Sequence, residues 1–173
     1  MKKKSLLAGM GMGMAMLLSL AVVPASYAET TTFRLEILQP ATGLTVEEVT
    51  TSQSVEYSQN GNMKLQGVVK ITNTGAADAD LVTKFSVPGN LTTLQTQPKN
   101  AGELLVRANL SKGGTSSNSV NTMVANQSSY ILEEAPFRPG EQKQVNLQFE
   151  FGKGTQAGVY ELPFTWSMGP VAR

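Results

Sequence analysis

The chain predicts an all-β protein built as a single antiparallel β-sandwich, and three observations carry that prediction. Apolar and polar residues alternate along two long stretches, Leu65 to Val87 and Val145 to Met168. Asn, Gly and Pro punctuate the chain at short intervals, as sandwiches show, and no segment beyond residue 28 repeats its apolar positions at helical spacing. Each long stretch reads as a hairpin, two strands joined by a turn.

The first residues belong to a different object. Lys2, Lys3 and Lys4 precede an apolar run from Leu6 to Val23, and Ser26-Tyr27-Ala28 places small residues at both positions that a signal peptidase reads. Residues 1–28 are therefore expected to be a cleaved secretory signal peptide. Residues 29–173 are enough for one core, one that removes about two thirds of the unfolded chain's surface from water. Cleavage takes three of the 14 basic residues and none of the 13 acidic ones, so 11 remain against 13 and the balance is −2. Nothing in that balance draws the chain to nucleic acid or to anionic lipid, and no second hydrophobic span follows the signal.

With no Cys, disulfides do not staple this exported chain, and no N-terminal lipid can be attached. With no Cys and no His, haem, Cys/His zinc sites and the common nucleophile–histidine machineries are excluded.

In order along the domain, Phe33, Leu35 and Ile37 alternate with Arg34 and Glu36 after Thr30, Thr31 and Thr32, which reads as a first strand. Val46 to Tyr57, rich in β-formers, leads to Asn60-Gly61, read as a hairpin pivot before the Leu65 strand. Leu65, Gly67, Val69 and Ile71 share one face. Asn73-Thr74-Gly75 turns the chain, Leu81, Thr83, Phe85 and Val87 return, and Pro88-Gly89 stops them. Residues 91–135 form a loop-rich insertion in this reading, with Leu104, Val106 and Leu110 in short strands and Ser111 to Ser119 a polar, Gly-bearing loop. Val145, Leu147, Phe149 and Phe151 alternate with amides and Glu150; Tyr160, Leu162, Phe164, Trp166 and Met168 then alternate with polar residues and Pro163. Because Pro163 has no N–H, the last strand is expected at a sheet edge, or with that position turned from its neighbour. The total is about seven to nine strands.

Val68 to Gly75 followed by Ala79 to Pro88, together with Arg138-Pro139-Gly140-Glu141 and Ala157-Gly158-Val159-Tyr160, resembles the bacterial immunoglobulin-like surface domains of the CARDB, DUF11 and NEW3 types. That resemblance implies an immunoglobulin-like sandwich and a surface role without fixing a ligand. The ending Ala157-Gly158-Val159-Tyr160 and Thr165-Trp166-Ser167-Met168 also resembles WxL surface domains, with Met for Leu, and this implies peptidoglycan binding.

Asn73, Asp78 and Asp80 gather oxygen ligands around one turn and form a thin candidate Ca²⁺ site, short of the six to eight oxygens such an ion takes. A solvated turn is the favoured reading, and no metal or cofactor is assigned. Glu47-Glu48 and Glu133-Glu134 are adjacent carboxylates, which point to opposite faces of a strand and so do not form a catalytic pair by themselves. No catalytic residue is assigned and no enzyme activity is expected. Tyr160, Phe164 and Trp166 either make a sugar-stacking platform or pack a core, and strict alternation favours core. Candidate interaction residues are Thr30, Thr31, Thr32, Phe33, Pro163 and Trp166. The expected function is an exported, noncatalytic surface or matrix module, outside the cell or in the periplasm, that binds other surface proteins or itself through edge strands. The alternative is a module for peptidoglycan or polysaccharide.

Overall fold

The computed structural model describes residues 30–37, 43–48, 52–112, 115–116, 120–133 and 135–171. The expected signal peptide lies outside them. Every described element is a strand. One sheet has five: β1 (Thr30–Ile37), β3 (Ser52–Glu56), β5 (Asp80–Phe85), β10 (Ser129–Ile131) and β12 (Val159–Gly169). The other has seven: β2 (Leu44–Glu48), β4 (Met63–Asn73), β6 (Thr92–Leu94), β7 (Glu103–Lys112), β8 (Thr115–Ser116), β9 (Asn121–Met123) and β11 (Gln142–Phe151). The orders are β10-β5-β12-β1-β3 and β2-β4-β11-β7-β6, with β8 and β9 also on β7. The predicted β-sandwich is the fold, with more strands than the pattern suggested because four of them have only two or three residues and show no period.

The three expected hairpins are not hairpins. β3 and β4 flank Asn60-Gly61, β4 and β5 flank Asn73 to Gly75, and β11 and β12 make up the Val145 to Met168 stretch, yet each pair is split between the sheets. Sheets in a sandwich pack about 10 Å apart, and connectors such as Thr74 to Ala79 and Gly152 to Gly158 are long enough to cross that gap. Consecutive apolar faces therefore oppose each other through the core. The true partner of β4 is β11, antiparallel from Thr72↔Gln142 to Met63↔Phe151.

Pairing is also mixed rather than purely antiparallel: β1 runs parallel to β12 and β6 parallel to β7. β12 lies in the middle of its sheet, between β5 and β1, so Pro163 is not on an edge strand. Its carbonyl accepts the Ser86 N–H at 3.2 Å, just past the end of β5. An antiparallel pair at that point would return an N–H from residue 163 to Ser86. Proline has none, and the β5 ladder stops there. Thr32 and Phe33 are likewise interior, held between β12 and β3, while Thr30 and Thr31 pair with β3.

The 91–135 segment holds five strands, among them ten-residue β7, the second neighbour of β11. Short strands tile the far side of β7: β6 on Glu103 to Leu105, β9 on Val106 to Ala108 and β8 on Ser111 and Lys112. This covers an edge that would otherwise offer a ten-residue template for aggregation.

The core is aromatic at its centre. Phe164 stacks on Phe85 at 5.0 Å and on Trp166 at 5.7 Å, with Phe149 edge-on at 6.2 Å. Tyr160 packs against Phe151, and its hydroxyl donates to the Gln156 carbonyl four residues upstream. This tyrosine corner pins the entry to β12, as in immunoglobulin-type sandwiches. Arg138-Pro139-Gly140-Glu141 is a type II turn: Glu141 N–H donates to the Arg138 carbonyl at 2.9 Å, with Gly140 at φ 75° in the third position.

Candidate functional site

The residues expected to carry function are distributed through the structural frame. Asn73 is buried, and its side chain is committed: Nδ2 donates to the carbonyls of Ala77 at 2.9 Å and Phe137 at 3.0 Å, while Oδ1 accepts the Gly75 N–H at 2.9 Å. Gly140 N–H donates to the Asn73 carbonyl, and Asn73 N–H to that of Glu141. The Asn73–Gly75 turn and the Pro139-Gly140 turn are thus docked on one another. Asp78 is exposed and Asp80 buried at the start of β5. Among the described residues no three acidic side chains gather to hold a metal ion.

Trp166 has 0% exposure and lies between the sheets with Phe164, so it is core, as are Tyr160 and Phe164, and a stacking platform on this strand is ruled out. The carboxylates are engaged one by one. Glu47 meets Lys70 at 3.7 Å; Glu133 meets the buried Lys143 at 2.6 Å, whose ammonium also donates to the Ala135 carbonyl and lies over the Phe137 ring. Glu134 is outside the described residues, as is the side chain of Glu48.

A different cluster occupies one end of the sandwich, where residues 58–62, 97–103 and 152–155 converge. Asn62 ties all three: Nδ2 donates to the Pro98 carbonyl and to Glu150 Oε1, and Oδ1 accepts the Lys153 N–H. Thr155 Oγ1 accepts from Gly102 N–H and donates to the Gly152 carbonyl. Glu103 receives the backbone N–H groups of Lys99 and Asn100 and the Asn100 amide, and these bonds, the Asn100 side chain foremost, hold its carboxyl below the usual range. A side chain at Gly152 would meet the Asn100 carbonyl at 2.0 Å, so only glycine fits.

Glu150, at the end of β11, is 9% exposed and accepts from both Asn62 and Gln97. Burial is the largest single influence and opposes its ionisation. The two amide bonds with the charges of Lys64 and Arg107 outweigh it, and the carboxyl sits below its ordinary value.

From this end a groove continues along the outer face of the seven-stranded sheet in three joined depressions. The first, about 570 Å³, lies among the converging loops; Lys64 and Glu150 join it to a second of about 100 Å³. Gln66 and Gln148 join that to a third of about 260 Å³ between Asn109, Ser111, Gln144 and Asn146. Gln144 donates to Asn146 and Asn146 to Ser111, forming an amide–hydroxyl row across β11 and β7. Asn109 Oδ1, in the same wall, is buried with no protein partner.

None of these residues stands out by type in the sequence. The signal present was the outward half of the β11 alternation, Gln142, Gln144, Asn146, Gln148 and Glu150, which is amide-rich where a merely solvated face usually carries Lys and Glu. No protein-family model and no curated protein sequence matches the chain.

Proposed function

We propose that this protein is an exported, noncatalytic surface or matrix module that associates with other proteins, including its own copies, by strand addition along one open side of the sandwich. The observation that supports this is an asymmetry between its two sides. On one side, β7 is tiled along its length by β6, β9 and β8. On the other, β3 and β2 are the last described strands of their sheets, and β2 pairs only with Val69 to Asn73 of β4. Along the remaining half of β4, the Gln66 N–H is capped by the Gln53 side chain at 2.8 Å. Strand addition needs such an edge. The contact is thereby moved from β1 and β12, which are interior, to β3.

The register of β3 supplies a selective test. Thr32 N–H points to β12, so Thr31 and Phe33 face β3, and their partners Val55 and Gln53 face back; Ser52, Ser54 and Glu56 direct their backbone outward. Ser54→Pro removes an outward N–H and leaves the β1 ladder intact. Light scattering and negative-stain imaging of residues 29–173 are expected to show assemblies that Ser54→Pro reduces to monomer. A wild-type chain that stays monomeric at high concentration, or assemblies indifferent to Ser54→Pro, would refute the reading.

A further inference from the structure

We infer that the groove on the outer face of the seven-stranded sheet is a binding site for an anionic polysaccharide, laid along β11 with its acidic groups at the loop end and its hydroxyls on the amide row. Three observations carry this beyond the edge-strand reading.

The first is extent. From Gln144 to Phe151 the depressions follow β11, which at about 3.4 Å per strand residue is on the order of 25 Å, and they continue to Lys153 in the turn after it. A surface of that length suits a polymer rather than a small molecule.

The second is chemistry. The floor is β4, β11 and β7, whose backbone groups are consumed by ladders on both sides of β11, so an extended peptide cannot add here as a strand. Aromatic side chains anchor most protein interfaces, but Trp166, Tyr160 and Phe164 are committed to the core and the exposed Tyr130 does not line the groove. What the groove offers are side-chain amides and a hydroxyl, which donate and accept at once as sugar hydroxyls do.

The third is charge. Lys64, Lys99 and Lys153 line the loop end and Arg107 the middle depression, and none of the four side chains has an ion-pair partner within 4 Å among the described residues. Glu150 is the one acidic side chain lining either depression. A net positive end on a chain whose overall balance is close to neutral favours carboxylate- or phosphate-bearing glycan.

Affinity electrophoresis of residues 29–173 tests this with four polymers: alginate carrying carboxylates, a glycerol-phosphate teichoic acid carrying phosphates, neutral dextran, and poly-glutamate as an acidic peptide. Retardation by alginate, by the teichoic acid, or by both is expected, and the pattern tells which acid group is read. Dextran and poly-glutamate are expected to retard at least tenfold less. Lys64→Gln with Arg107→Gln is expected to weaken binding about tenfold, and Gln148→Ala several-fold. The Trp166 emission maximum serves as the check that each variant is folded. Retardation by poly-glutamate equal to that by the glycans would reduce the site to bulk charge and overturn the inference. Absence of retardation by both acidic glycans, or binding unmoved in these folded variants, would overturn it too. Ser54→Pro is expected to bind as wild type does, so failure here and failure of edge association are distinguishable.

Discussion

Replacing Asn73 by Ala removes a side chain that joins the two turns of the domain, and its cost can be worked from the contacts. Three hydrogen bonds are lost, to Ala77, Phe137 and Gly75, at about 1 kcal/mol net each. The Phe137 carbonyl still accepts the Ala79 N–H, so it is not orphaned and adds little. The vacated volume is small and close to the turn surface. The expected loss is therefore about 3 kcal/mol, a large share of the 5–15 kcal/mol typical of a domain. Asn73→Asp should cost at least as much, because a carboxylate keeps only the Gly75 bond and faces two carbonyl oxygens. The assay is urea unfolding of residues 29–173 followed by the emission of Trp166, the single tryptophan. The midpoint should fall with the slope unchanged. A loss below about 1 kcal/mol for Asn73→Ala would refute the account of Asn73 as the clamp between the turns. The same titration tests the calcium reading: Ca²⁺ is expected to leave the wild-type midpoint in place, whereas a ligand bound to the native state must raise it.

Three further outcomes follow from single contacts. Tyr160→Phe deletes the bond to the Gln156 carbonyl and should cost about 1 kcal/mol in the same urea assay, with the core otherwise intact. Gly152→Ala forces a methyl onto the Asn100 backbone and should cost more than about 2 kcal/mol, with faster hydrogen exchange at Gly102 and Glu103. Glu150 has a carboxyl pKa below its unfolded value of about 4.5, so its contribution is fully present above that pH and is lost as pH falls through the folded value; Glu150→Gln should lower stability near neutrality and flatten the acid limb below about pH 4.5, so that the two profiles converge as the pH falls.

Much of the local structure was legible. The inward set from Leu65 through Trp166 matches the buried residues almost position for position, because period-two alternation directly reports which face of a strand meets the core. The site was not. Asn62, Gln97, Glu150 and Lys153 are scattered along the chain, and nothing in their types distinguishes them from solvated surface until three loops fold onto one another. The insertion was misread because β6, β8, β9 and β10 are too short to show a period and are strands only because β7 or β5 is already there to receive them.

By itself the sequence determined that this is an all-β chain, which side chains point inward, where it turns, and that Cys and His chemistry is closed to it. Only the tertiary structure decided which strands are neighbours. It separated each apparent hairpin between two sheets, paired β4 with β11 and β1 with β12, moved Pro163 from an edge to the interior, and left β3 last among the described strands of its sheet. The reason is physical. Alternation is set by each residue's own environment, inside or outside, and is written locally, whereas hydrogen-bond pairing is satisfied equally well by many strands. The choice among them is made by how all the apolar faces close around one core.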